Sequence, residues 1–127
     1  MKKIYGLTNT ETEIMELLWN ADHKLSFREM LDYFNQKLQK DWKKQTLSSY
    51  LLTLQKAGLI SADAAGKNYY YYASCTKEEH IHNWTKELLD QSFESSLGRF
   101  IAAFSGGAKL SKKEAEELKQ YLEDADE

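Results

Sequence analysis

The stretch D-W-K-K-Q-T-L-S-S-Y-L-L-T-L-Q-K, residues 41–56, has the pattern of one helix with two different faces. Apolar residues recur every three or four positions and predict a buried stripe of Leu47, Tyr50, Leu51, Leu54 and, just beyond, Ala57. The opposite face is basic and carries short polar side chains: Lys43, Lys44, Gln45, Ser48, Ser49 and Thr53. Lysines neutralise phosphates, and small hydroxyls and amides can approach base edges, so this face suits a groove of DNA. The alternative is an ordinary solvated helix face.

The period changes after Gly58, which we expect to end this helix. Residues 59–63 and 69–73 are predicted strands, and residues 64–68 are the predicted turn between them. A hairpin after the third helix is the order of a winged helix, a helix-turn-helix flanked by a β wing. Lys67, at the tip of this wing, would lie near the phosphate backbone. The four successive tyrosines of the second strand would alternate between core and surface, and the alternative is an adhesive edge strand.

Four segments begin with the same helix-start signal, a hydroxyl residue followed three positions later by glutamate. The pairs are Thr8 and Glu11, Ser26 and Glu29, Thr76 and Glu79, and Ser111 and Glu114. In such a capping box each side chain accepts a hydrogen bond from a backbone N–H that the helix leaves free. We therefore predict helices over residues 9–21, 27–39 and 112–124, and helical structure from residue 76 onward. The second helix is expected to bury Phe27, Met30, Leu31, Phe34 and Leu38.

The charge is unevenly distributed along the chain. The net charge is −3, but residues 24–77 contain nine lysines and arginines against four acidic residues. Residues 78–127 contain six against twelve. A basic centre followed by an acidic part indicates that one half faces a polyanion while the other has a different task.

Residues 76–127 carry more apolar side chains than a segment of about fifty residues can easily bury alone. We predict a helical dimerisation domain there, after a winged-helix domain of residues 1–75, with two copies joined in an isologous dimer. A break between helices is expected at residues 94–96 and a flexible loop at 105–108. The alternative is packing on the winged helix of the same chain. The residues assigned to the dimer interface are Ile81, Trp84, Leu88, Phe93, Leu97, Phe100, Ile101, Phe104, Leu118, Tyr121 and Leu122.

Other classes of function find little support. The single cysteine, Cys75, permits no internal disulfide and fits a reducing cytoplasm, and no apolar run is long enough to span a bilayer. Cys75, His80 and His82 lie close together, but histidines two residues apart point in different directions on a helix. We predict no metal site. No phosphate-cradling glycine loop or catalytic carboxylate pair is found, so we expect neither an enzyme nor a cofactor.

Three motifs together resemble those of the BlaI/MecI/CopY family of bacterial repressors, the penicillinase repressors. The motifs are L-T-x-x-E-x-E-I-M-x-x-L-W at 7–19, W-x-x-x-T-L-x-x-x-L-x-x-L-x-x-x-G-L at 42–59, and G-x-x-Y-x-Y-Y at 66–72. The helical C-terminal half, with a closing helix from Leu110, fits as well. The resemblance implies a mainly α fold with a small β wing, a winged helix-turn-helix followed by a C-terminal helical dimerisation region.

The resemblance also implies a homodimer that binds an inverted-repeat operator in double-stranded DNA and blocks transcription. Recognition would depend on helix 43–56 and wing 59–73. The resemblance adds Thr46 to Gln45, Ser48, Ser49 and Thr53 in or beside the groove, and it places Lys43, Lys44 and Lys67 near phosphates. Two alternatives remain: a winged-helix module that binds a protein instead of DNA, and a sensor that binds a small molecule between the C-terminal helices.

Two release mechanisms of the family depend on C-terminal residues that differ here. In its β-lactam branch a protease cuts an Asn-Phe bond, and the corresponding pair in this chain is Ala103-Phe104. In its copper-responsive branch paired cysteines near the C-terminus bind metal, and residues 76–127 contain no cysteine. The sequence therefore names neither the inducing signal nor the operator.

Overall fold

The computed structural model describes residues 3–104, 106 and 110–125. It forms two compact units, Met1–Trp84 and Thr85–Glu127, with the boundary inside the fourth helix. The elements in chain order are β1 (Lys3–Ile4), β2 (Leu7–Thr8), α1 (Asn9–Asn20), β3 (Leu25–Ser26), α2 (Phe27–Asp32), α3 (Lys44–Lys56), β4 (Ile60–Ala65), β5 (Asn68–Ala73), α4 (Lys77–Ser92), α5 (Leu97–Phe104) and α6 (Lys112–Ala125). Three helices followed by a hairpin confirm the winged-helix prediction.

All four predicted capping boxes are formed. In each, hydroxyl and carboxylate both accept a backbone N–H, at 2.9–3.2 Å. α1, α2, α4 and α6 therefore begin where the sequence predicted. The backbone N–H of the capping residue also lowers the pKa of Glu29, Glu79 and Glu114, because it stabilises the charged carboxylate.

The core of the first unit is built from the apolar stripes of its helices together with residues of the short strands. Its buried members are Leu7, Ile14, Met15, Leu18, Leu25, Met30, Phe34, Leu47, Leu51, Leu54 and Ile60. The predicted stripe of α3 is confirmed for its three leucines, while Tyr50 is half-buried. Ala57 is exposed, contrary to the prediction, because it caps the C-terminus of α3 beyond the last turn that faces the core.

The end of the second helix was predicted wrongly. α2 continues as a π-helical turn, Tyr33–Lys37, and the Leu38 N–H donates to the Tyr33 carbonyl at 3.4 Å. This wider turn changes the direction of the side chains that follow it. Leu38, which was expected to be buried, is 38% exposed, and the helical segment ends at Lys37 instead of Gln39.

The wing is a three-stranded antiparallel sheet in the order β3-β5-β4. β4 pairs with β5 up to Ala65 and Asn68, which leaves a loop of only Gly66 and Lys67. Gly66 has a φ of +65°, which the primed turns of two-residue hairpins require at this position. The predicted turn was therefore too long. β3 was not predicted, because two residues show no recognisable period.

The four tyrosines of the wing alternate less regularly than predicted. Tyr71 packs against the core, and this burial raises the pKa of its hydroxyl. Tyr69, on the same face of the strand, is exposed because it lies nearer the wing tip. Tyr70 and Tyr72 are half-buried, and the Lys24 ammonium lies 4.6 Å from the centre of the Tyr72 ring.

The N-terminal hairpin of β1 and β2 packs on the first turns of α4. The Tyr5 and Trp84 rings meet edge to face, with 5.7 Å between their centres. The His80 Nε2 donates to the Tyr5 carbonyl at 3.0 Å, and the Trp19 indole donates to the Cys75 carbonyl at 3.0 Å. For Trp84, the structure thus shows the contact within the chain that was the alternative to a role in the dimer.

The second unit contains the rest of α4 together with α5 and α6. Positive φ values at Glu94 and Ser95 separate α4 from α5, which confirms the predicted break. The Phe93 and Phe100 rings meet edge to face at 5.6 Å. α6 confirms the last predicted helix, while the predicted loop at 105–108 lies outside the described residues except for residue 106.

Candidate nucleic-acid interface

The start of α3 is fixed by the chain that connects it to α2. The Asn35 side-chain amide donates to the Trp42 carbonyl at 3.0 Å and accepts the Trp42 N–H at 2.6 Å. The Trp42 ring lies between Phe34 and Tyr50, with ring centres 4.7 and 5.4 Å away. These contacts join the connection to the core on one side and to α3 on the other. They hold the outer face of α3 in a defined direction.

The outer face of α3 is exposed, as its sequence pattern predicted. Seven of the predicted DNA-binding residues are exposed: Lys43, Lys44, Gln45, Ser48, Ser49, Thr53 and, on the wing, Lys67. Thr46 is half-buried, and the Thr53 hydroxyl donates to the Ser49 carbonyl at 3.0 Å. Lys43 caps α3 without a side-chain hydrogen bond, so the first amides of this helix have no side-chain cap.

Three of the predicted residues meet at one groove. Lys44 and Ser48 of α3 and Lys67 of the wing line a groove of about 940 Å³ between α2, α3 and β5. The other lining residues are Ser26, Phe27, Arg28, Leu31, Asp32, Asn68, Tyr69, Tyr70 and Tyr71. The groove therefore joins the recognition helix and the wing in one continuous surface.

Sequence reasoning missed the contribution of α2 to this surface. Arg28 and Asp32 lie one turn apart on α2, and both line the groove. Their only signal in the sequence was that Arg28 belongs to the basic middle of the chain. Helix periodicity assigned Phe27 and Leu31 to the core but gave no reason to place the polar side of α2 beside the wing.

The residues assigned to the dimer interface fall into two groups. Leu97, Phe104 and Tyr121 are exposed. The half-buried residues are Ile81, Trp84, Leu88, Phe93, Phe100, Ile101 and Leu118. Leu122 belongs to α6, but its side chain lies outside the described residues. Large apolar surface thus remains open on α5 and α6.

Cys75 and His80, considered above as metal ligands, have structural contacts instead. His80 stacks on Trp19 and bonds to the Tyr5 carbonyl. Burial, with a smaller effect of the Glu79 carboxylate, raises the pKa of the Cys75 thiol, which makes the thiolate less available. Within residues 3–104, 106 and 110–125 no three His, Cys, Asp or Glu side chains are grouped to hold a metal ion.

No helix in the described part of the chain is both long and apolar enough to cross a membrane.

The helix-turn-helix, the exposed basic face of its second helix and the adjoining hairpin define a winged-helix protein. Residues 7–124 match the penicillinase repressor family. The chain belongs to that family and is by this membership a transcriptional repressor.

Its relatives are similar over nearly their whole length. The methicillin resistance regulatory protein MecI of Staphylococcus aureus is 23% identical over 94% of this chain and 95% of its own. The penicillinase repressor of Bacillus licheniformis is 24% identical over 98% of this chain and 94% of its own. A crystal structure of a MepR mutant from a multidrug resistant S. aureus clinical isolate covers 95% of this chain and 78% of its own, with 16% identity and a TM-score of 0.48.

Proposed function

We propose that the chain represses transcription as a homodimer that binds an inverted-repeat operator. Each copy would place α3 in the major groove and the wing against the neighbouring sugar–phosphate backbone. The observation that supports this most directly is the groove shared by α3 and the wing tip, with Lys44, Ser48 and Lys67 on its walls. Two positive charges and a short hydroxyl on one open surface suit phosphates beside base edges.

The exposed residues of α3 have different proposed tasks. Lys43, Lys44 and, on the wing, Lys67 bind phosphates, which fixes the position of the protein on the duplex. Gln45, Ser48 and Ser49 contact base edges and provide the sequence preference. Thr46 is half-buried and the Thr53 hydroxyl is bonded to backbone, so these two lie beside the groove.

The homodimer is supported by the apolar surface of the second unit. Phe104 is 69% and Tyr121 is 71% exposed, and large rings left in water favour association with another apolar surface. We propose residues 1–75 as the DNA-binding domain and 76–127 as the dimerisation domain, with the first turns of α4 joining the two. An isologous dimer would present two recognition helices to the two halves of the operator.

The operator can be selected from random duplexes and its affinity measured by fluorescence anisotropy at several salt concentrations. We expect affinity to fall steeply with salt, because lysines that bind phosphates release counterions. Lys44→Ala should weaken binding to all sequences alike, whereas Gln45→Ala should change the preferred sequence. Salt-insensitive binding, or the same effect from both variants, would contradict the assigned tasks.

The oligomeric state is measured by sedimentation equilibrium of the full chain. We expect the mass of two chains at micromolar concentration. A single-chain mass there, together with one protein per operator half-site bound independently, would refute the homodimer. A stable complex with another protein, and no duplex recovered by selection, would favour a protein-interaction module instead.

A further inference from the structure

The groove between α2, α3 and β5 has a third source of positive charge besides Lys44 and Lys67. Arg28 of α2 lines the same groove, and its side chain is 91% exposed. Packing against the core therefore does not explain the position of the Arg28 side chain. Three cations from three separate elements surround one open groove.

One carboxylate lies among the residues that line this groove. The Asp32 Oδ2 is 3.9 Å from the Arg28 Nε, one helical turn away. A solvent-exposed pair of this kind contributes little to the stability of a helix. Its larger effect is on the groove itself, where Asp32 offsets part of the positive charge of Arg28.

The place of a DNA strand in this groove follows from the way winged helices dock. With the recognition helix in the major groove and the wing at the neighbouring backbone, one sugar–phosphate strand passes between them. In this chain the space between α3 and the wing is the groove that Arg28 lines. A guanidinium presents two parallel N–H groups that match the oxygens of a phosphate.

We propose that one strand of the operator lies in this groove, that Arg28 binds one of its phosphates, and that the Asp32 carboxylate opposes the binding. The inference rests on the proposed function and adds α2 as a third contacting element. Phosphates are the same in every sequence, so this pair sets the affinity for DNA and leaves the sequence preference to α3.

Three variants of the full chain test this, each measured on the operator and on an unrelated duplex over a range of salt. Arg28→Ala should lose about tenfold in affinity for both duplexes, as expected for one charge-assisted hydrogen bond. Its plot of log affinity against log salt should be shallower by about 0.9, the value for one phosphate contact. Asp32→Asn, which keeps the shape but not the charge, should bind both duplexes more tightly than the unmodified chain.

Lys37→Ala is the matched control, because Lys37 is an exposed cation of the same segment that does not line the groove. Arg28→Ala behaving like Lys37→Ala, or Asp32→Asn binding more weakly, would overturn the inference. Should Arg28→Ala unfold, Arg28→Lys keeps the charge and should lose affinity with little change in the salt slope. An unmodified chain that binds no duplex would refute the proposed function, which is a different outcome from a failure of the Arg28 test.

Discussion

The two units differ in what happens to their apolar side chains. In the first unit Ile14, Met15 and Phe34 have no exposed surface, and the stripes of α1, α2 and α3 close on one another. In the described part of the second unit no side chain is fully buried, and Phe104 and Tyr121 are mostly exposed. Burial of apolar surface is the main stabilising force of folding. The first unit therefore has a core of its own, whereas the second gains most from a further apolar surface.

The largest effect is expected from the core of the first unit. Leu51→Ala removes a side chain that is 1% exposed and should lower the free energy of unfolding by about 2–5 kcal/mol. Its neighbour Leu52 is 53% exposed, so Leu52→Ala should change the same quantity by less than about 1 kcal/mol. Urea unfolding of both variants at one protein concentration measures the difference. Equal losses would show that the first unit is not organised around this stripe.

The exposed rings of the second unit should matter for association instead of folding. Phe104→Ser and Tyr121→Ser should each raise the dissociation constant of the homodimer at least tenfold, about 1.4 kcal/mol, because the buried rings would be lost from the interface. Sedimentation equilibrium measures this constant. Leu52→Ser changes an exposed apolar residue of the first unit and should leave the constant unaltered. If all three variants act alike, the contrast between the two units has no part in dimerisation.

A smaller effect tests where the first unit ends. Gly6 and Gly66 both have positive φ, +78° and +65°, so alanine at either position costs about 1 kcal/mol. Only at Gly6 would the added Cβ meet a neighbour, the Trp84 ring at 3.1 Å. Gly6→Ala should therefore lower the stability by roughly 1 kcal/mol more than Gly66→Ala. Equal melting temperatures would mean that the contact between the N-terminal hairpin and α4 adds nothing to the first unit.

The smallest effect concerns pH. Hydrogen bonds to the carboxylates of Asp22 and Glu29 raise the pKa of His23 above 6.5, its ordinary value. A folded-state pKa above the unfolded value means that His23 stabilises the fold below about pH 6.5, and that this contribution is lost as pH rises through the raised pKa.

His23→Gln should remove this pH dependence from the first unit. Urea unfolding between pH 6 and pH 9 measures it, and the exposed His82 provides the control variant His82→Gln. A pH dependence that survives His23→Gln unchanged would assign it to other groups.

The local structure could be predicted because its causes are close in sequence. Each capping box joins residues three positions apart, such as Ser26 and Glu29, and all four formed. The stripe of α3 needed only the helical period. The two strands of the wing needed only a turn between two β-favouring runs, although Gly66 and Lys67 made the turn shorter than predicted.

The parts that were missed depend on contacts between distant segments. β3 is a strand only because Leu25 and Ser26 pair with β5, more than forty residues later. Leu38 turned outward because a π-helical turn changed the phase of its helix. Arg28 gave no pattern of its own, and only the packing of α2 beside the wing put it on the groove.

The sequence by itself determined where the helices begin, which side of residues 44–56 is apolar, and the resemblance to the penicillinase repressors. These follow from the helical period and from backbone amides that a nearby side chain can satisfy. Only the tertiary structure decided that α2, α3 and the wing share one groove, and that Trp84 packs on the N-terminal hairpin. The reason is that a groove is made by surfaces brought together when the core closes, and no local spacing records which surfaces will meet.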